Sequence, residues 1–277
     1  MSDLWRDDFL TGSPLLAPLA WLAAHQQWRH WPGQAELDAL LAHVGGRSCQ
    51  ALRFVLPDSV PANARYYEQR IHDTGQIPTR HENWHDLYNA LTWLSFPRIK
   101  HALNRRHVEE LQAAASRQQR GSRRDAATLL DESGVLLACS EPRLIELLAD
   151  HAWEALFVGH RAAWGRSISA HIIGHALHEK ALTPYLGFTG KALPVVVDPV
   201  FFSLAPDEQR LHLDSTIAAG FAAHGFLPGP RTLLPLPLLG VPGWWPGNAD
   251  TDFYRNTDYF RPKRTHRGRL AAPSVEG

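Results

Sequence analysis

Residues 78–104, PTRHENWHDLYNALTWLSFPRIKHALN, gather His81, His85 and His101, Asp86, Arg80, Lys100 and three asparagines around Trp84, Trp93 and Phe96. An imidazole beside a carboxylate suits a general base or a metal ligand, and guanidinium or ammonium groups nearby suit the clamping of developing phosphate charge. A helix through this stretch makes the set specific. At 100° per residue from His85, Asn89 falls at about 40°, Trp93 at about 80° and Phe96 at about 20°, while Leu87, Leu91 and Leu94 fall at about 180–240°. The leucine face belongs to the core, and the imidazole, amide and aromatic face has the composition of a pocket wall. Asp86 lies beside that wall, and Asn83 and Arg80 precede the helix within reach of its free N–H groups. Taken singly, each polar residue reads as a satisfied buried group, and Asn83 or Asp86 as a helix N-cap. Taken together, Arg80, Asn83, His85, Asp86, Asn89 and Lys100 favour a functional site.

A second set follows in SISAHIIGHALHEKAL. One helix over this stretch, with Ser167 or Ser169 as N-cap, brings His171, His175, His178 and Glu179 onto one stripe. His171 and His175 then have the i,i+4 spacing of helical zinc ligands. The order differs from the zincin motif, because no Glu follows His171. Ile168 and Leu182 fall on the same side, so an ordinary buried seam is the competing reading. The metal candidates are His175, Glu179 and His171, for a divalent ion such as zinc. Asp131 and Glu132 can offer a carboxylate to a metal but rank low as turn acids, and Ser133 reads as turn chemistry.

These groups need elements to position them. Two helical patterns over 15–44 are separated by WPGQ and closed by Gly45-Gly46. RFVLP reads as a strand and RYYEQRIHDTG as a helix ended by Gly75. Ser95 as N-cap and Pro97 in the first turn start a helix through KHALNRRHVEELQAAA. RQQRGSRRD is a basic connector. ATLL and VLLAC around DESG predict a hairpin over 127–139, with Gly134 at positive φ. EPRLIELLAD and PDEQRLHLDSTIAAGFAAHG are helices, and KALPVVVDP gives a strand over 192–198. The Pro-rich LPGPRTLLPLPLLGVPGWWPGN must be extended or turning, and its Leu and Trp residues pack it on the body as a coat. The expected fold is mainly helical α+β with a small mixed or antiparallel sheet. A single domain over 1–262 has a helical N-terminal subregion at 1–48, and a flexible tail covers 263–277.

Composition removes several classes. The 277 residues are 44% apolar, enough for a core, and Lys plus Arg balance Asp plus Glu at 28 each, so no global field favours nucleic acid or an anionic membrane. A nucleic-acid role would need a local patch. No charge-poor run of membrane-spanning length and no secretory leader pattern occur, so a cytosolic chain is expected. Cys49 and Cys139 lack metal or disulfide spacing. GxSxG, GxxxxGK[ST] and GxGxxG are all missing, which removes the usual hydrolase elbow, P-loop and dinucleotide fingerprint. Sixteen His and 10 Trp are the unusual counts.

Pro78-Thr79-Arg80, Asn83-Trp84-His85-Asp86-Leu87, Asn89-Ala90, Trp93, Phe96-Pro97, Lys100 and Leu103-Asn104 together resemble the signature of a bacterial family known as domain of unknown function 3025. Asp131-Glu132 with Gly134, Gly174-His175-Ala176-Leu177 with Glu179, and the closing PLPLLGVPGWWPGN, FY and FRP agree with it, over roughly residues 50–262. The resemblance implies a bacterial cytosolic protein of one recurrent architecture and carries no activity. His175 and Glu179 match the family pattern, whereas His171 and His178 lie outside it, which favours His175 with Glu179.

Two functions fit these residues. In a metal-assisted hydrolase of a phosphate ester or nucleic acid, His85 is general base or ligand, Asp86 its orienting carboxylate or a second ligand, His175 and Glu179 further ligands, and Arg80 and Lys100 the phosphate clamps. In a small-ligand or partner-binding protein without catalysis, the same groups form a satisfied network that holds Trp-lined walls. Distance discriminates: one shared cleft for His85 and His175 favours the enzyme, and a separation above about 12 Å removes a shared coordination shell.

Overall fold

The computed structural model describes residues 3–44, 52–57, 67–117, 121–223 and 225–263. Gly45-Gly46, Cys49 and the tail beyond 263 lie outside them. The fold is mainly helical α+β. Arg53–Val55 (β1) and Gln76–Pro78 (β2) form a parallel pair, and Gly134–Cys139 (β3), Ile168–Ile172 (β4), Thr189–Val196 (β5) and Leu234–Pro237 (β6) form a mixed sheet in the order β4-β3-β5-β6. The proline-containing β6 sits on an edge, where a missing N–H breaks no ladder on its outer side.

The sheet is sandwiched. GVLLAC is an unbroken apolar run because β3 is buried on both faces. Val135, Leu137 and Cys139 join one core, with Phe9, Trp84, Tyr88 and the C-terminal Tyr254 and Phe260. Leu136 and Ala138 join the other, with Phe96, Ile99, Leu130, Leu213 and Ile217. Successive side chains of a strand point to opposite faces, so six residues serve two cores.

The helices are Gln34–Val44 (α1), Tyr67–Thr74 (α2), Trp84–Ser95 (α3), Pro97–Arg117 (α4), Ser122–Ser133 (α5), Pro142–Ala149 (α6), His175–Lys180 (α7) and Pro206–Ala222 (α8), with a 3-10 helix at Pro14–Ala24. Gly75, just past α2, has φ +67°, the left-handed stop its position called for. Asn83 caps α3, its side-chain oxygen accepting the Asp86 N–H at 2.9 Å. No helix among the described residues is long and apolar enough to cross a membrane.

Three local expectations are corrected. The 127–139 hairpin is absent: Ala127–Leu130 belong to α5, and DESG closes that helix rather than turning between strands. Gly134 has φ −75°, so its role is steric, since a Cβ there would meet the Leu130 carbonyl oxygen. The stretch 167–182 is not one helix but β4, a break at Gly174, and α7. Ser95 ends α3 instead of capping α4; the first amides of α4 are capped from outside, Asp214 of α8 accepting Ile99 N–H at 2.9 Å and Arg98 N–H at 3.2 Å.

Candidate metal centre

Three helix ends converge. His85 lies in the first turn of α3, His175 opens α7, and Glu132 is the second-last residue of α5. Backbone contact brings the last two together. Gly174 and Ile173 both donate their N–H to the Gly134 carbonyl at 3.0 Å, and a Cβ on Gly174 would stand 2.5 Å from the Glu132 carbonyl oxygen and 2.5 Å from the Gly134 nitrogen. Only glycine permits that approach. It sets His175 Nε2 3.5 Å from Glu132 Oε2.

His85 Nε2 faces His175 Nε2 at 3.1 Å, and the ring planes meet edge to face. One nitrogen from each imidazole and one Glu132 oxygen all lie within 4.8 Å of one another. The tautomers follow from the partners. Glu179 Oε2 accepts from His85 Nδ1 at 3.0 Å, which puts the His85 proton on Nδ1 and leaves the lone pair on Nε2. His175 Nδ1 is buried without a hydrogen-bond partner, so without a cation the His175 proton belongs on Nε2, donated to the His85 Nε2 lone pair at 3.1 Å. A cation between the two Nε2 atoms would replace that one proton and take a lone pair from each ring. Zn–N bonds of about 2.0–2.1 Å in a tetrahedron put donor atoms about 3.3 Å apart, close to the observed spacing.

The electrostatics fit a neutral donor set. Burial pulls the His175 pKa down to about 3, so its imidazole is uncharged at neutral pH. Burial and the neighbouring Asp131 raise the Glu132 carboxyl. The His85, Glu132 and Glu179 side chains keep 34%, 40% and 39% of their surface exposed, so a side of the cluster faces solvent. Glu179 holds its histidine from behind, as outer carboxylates do in carboxylate–histidine–zinc arrangements.

The other sequence candidates lie elsewhere. Asp86 is forked by Arg80, with Oδ1 accepting Nη2 at 2.8 Å and Oδ2 accepting Nε at 2.9 Å and the Arg80 main-chain N–H at 2.8 Å. Burial alone would raise Asp86, but these bonds hold it below the usual carboxylate range. Arg80 stays largely exposed on the rim, near Glu179. Lys100 is buried; its Nζ donates to Asn89 Oδ1 at 2.9 Å and to Asp131 Oδ1 at 2.5 Å, and Asn89 donates on to the Tyr67 hydroxyl at 2.8 Å. These side chains are paired with one another and supply no atom to the cluster. His171 is on β4, its Nε2 2.9 Å from Ser169 Oγ and its ring against Phe201. His178 is fully buried, its pKa brought down to about 3 by burial.

Glu132 is the cluster residue that pattern reading undervalued, because DESG looked like a turn and turn acids are common. The adjacent pair divides its labour, Asp131 to Lys100 and Glu132 to His175.

A family model described as "Protein of unknown function (DUF3025)" matches residues 52–264. No curated protein and no solved structure matches the chain.

Proposed function

The chain belongs to the DUF3025 family, whose description fixes no chemistry, and from the site itself we propose a metal-dependent hydrolase with His85, His175 and Glu132 as ligands of one divalent ion, zinc being the first choice. The carrying observation is the pair of Nε2 atoms at 3.1 Å, with a Glu132 oxygen beside them and all three ligand atoms within 4.8 Å of one another. Two imidazoles and a carboxylate with a solvent-facing side are the donor set of hydrolytic zinc rather than of a closed structural site. Such an ion would supply Lewis acidity and acidify a bound water.

The chain's own residues fill the remaining roles. Glu179 keeps the proton on His85 Nδ1 and so keeps Nε2 a donor. Arg80, fixed by Asp86 and exposed at the rim, suits an anionic ester, so phosphate esters and nucleic-acid backbone are the substrate class to try first. Lys100 is withdrawn from that task by its burial. The satisfied-network function fits the Lys100, Asn89 and Asp131 half of the polar set; in the histidine half, His175 Nδ1 is buried without a hydrogen-bond partner and a Glu132 oxygen stands 3.5 Å from His175 Nε2.

The test is elemental analysis of protein made without a metal-affinity tag, alongside hydrolysis of bis(4-nitrophenyl) phosphate before and after chelation and zinc return. Near-stoichiometric metal, lost in His85→Ala and Glu132→Gln, with turnover that follows the metal, is expected. Protein that takes up no zinc, or turnover indifferent to chelation, overturns the proposal.

A further inference from the structure

The family match begins at residue 52, yet residues before it touch α3 and the chain just past α7, two of the three elements of the centre. Asp3 is at the start of this arm: its Oδ2 accepts the Trp84 N–H at 3.4 Å and its carbonyl accepts Trp31 Nε1 at 3.1 Å. Trp5 stacks on Trp84 with ring centroids 5.3 Å apart, and Trp31 lies 4.4 Å from the same ring. Further along, the Phe9 carbonyl accepts the Tyr88 hydroxyl at 2.7 Å. Trp84 and Tyr88 bracket His85 on α3, so the arm grips the first turns that carry the ligand.

Between those contacts the arm reaches the other helix. Arg6 Nη1 donates to the Leu182 carbonyl at 2.5 Å, just past α7, and Leu182 N–H in turn bonds the Glu179 carbonyl at 3.2 Å. Asp8 fixes the guanidinium, Oδ1 accepting Nε at 3.0 Å and Oδ2 accepting Nη2 at 2.9 Å. A planar guanidinium forked by one carboxylate has a nitrogen left to aim in a set direction. The chain of contacts thus runs from the arm through Leu182 to Glu179, whose carboxylate holds His85.

We propose that residues 3–10 are a strap that sets the spacing of α3 and α7, and that Arg6 is a positioning residue for the metal centre. This rests on the reading of His85, His175 and Glu132 as ligands. Outer groups that orient ligands typically contribute 10–100-fold to metal affinity, and Arg6, one step further out, belongs near the lower end of that range.

The test compares the full chain with Arg6→Ala, Arg6→Lys and, as a control for general loss of stability, Phe221→Leu in the core away from the centre. Zinc affinity is measured by competition with a chelating dye, and coordination geometry by the visible spectrum of the cobalt-loaded protein. Arg6→Ala should weaken zinc about 10-fold and alter the cobalt bands. Arg6→Lys, which keeps a donor for Leu182, should recover part of both, and Phe221→Leu should change neither. Unchanged affinity and bands in Arg6→Ala, or an equal loss in Phe221→Leu, overturns the strap. If the unaltered chain binds no zinc, the centre has failed, and amide exchange over 175–182 judges the strap alone: faster exchange in Arg6→Ala upholds it, and unchanged exchange ends it.

Discussion

His85 Nε2 and His175 Nε2 stand 3.1 Å apart although their residues are 90 positions apart in the chain. The juxtaposition comes from α3 packed on α7, with the His85 ring held at its other nitrogen by Glu179. Removing a donor should therefore cost more than removing an orienting group. His85→Ala should weaken zinc by at least about 100-fold and Glu179→Gln by about 10–100-fold, because the glutamine amide no longer holds the Nδ1 proton with a charge. Competition titration ranks the variants. Equal affinities for Glu179→Gln and the original would remove Glu179 from the orienting role.

How much of this was legible in the residues depended on whether the local signal had a rival. Around α3 it had none: Asn83 is a good cap, no Gly or Pro interrupts 84–95, and the leucines share one face. Around His171 two periods competed. Ile168, Ala170 and Ile172 alternate with Ser169 and His171 as a strand requires, yet the histidines that follow also fit a helical stripe, and Gly174 was read as interior rather than as the break. DESG failed for a related reason, since the acids that end a helix and the acids of a hairpin turn look alike until α5 is seen to start at Ser122. Convergence of Glu132 on His175 is tertiary: it depends on backbone contact across Gly174, which no single stretch records.

That contact makes Gly174→Ala a sharp probe. The added methyl would stand 2.5 Å from backbone atoms on two residues, and backbone cannot swing aside as a flexible side chain can. A loss of about 1–3 kcal/mol in unfolding free energy is expected, together with weakened zinc binding as Glu132 and His175 separate. Urea unfolding and the dye titration measure the two effects. A variant with full stability and full affinity would show that the close approach does not set the site.

Lys100 offers the opposite kind of prediction, strong for the fold. Burial pushes the Asp131 carboxyl up, but the Lys100 ammonium outweighs it and leaves the net pKa low. Lys100→Met strands that charge, which typically costs about 3–5 kcal/mol. Adding Asp131→Asn should recover most of the loss by removing the charge itself. Chemical denaturation of the single and double variants decides this, and a loss below about 1 kcal/mol in Lys100→Met would mean that the pair is worth no more than an exposed one.

The buried histidines set the response to acid. Burial lowers His171 to about 4 and His175 and His178 to about 3, while an unfolded imidazole titrates near about 6.5. With the folded values depressed, their contribution is complete above about pH 6.5 and is lost as pH falls toward the folded values, because the unfolded chain binds the protons first. Burial acts in the other direction on two carboxyls, raising Glu68 to about 7 and Asp214 to about 6. These take up protons in the fold before the unfolded chain does, so their contribution grows as pH falls from about 7 toward the ordinary carboxylate range near about 4. Among these five groups, three imidazoles against two carboxyls contribute a net uptake of about one proton on unfolding between about pH 6 and pH 4.5, about 1.4 kcal/mol per pH unit, and His101, also lowered by burial, acts in the same direction. His178→Leu should reduce the slope in this window by about 1.4 kcal/mol per pH unit, the share of one imidazole. It should also leave stability at neutral pH intact or higher, because both ring nitrogens are buried without a hydrogen bond of good geometry. Urea midpoints at half-unit pH steps, with chelator present, test both statements. A His178→Leu profile parallel to that of the original chain would show that this imidazole is not the group whose protonation drives acid unfolding.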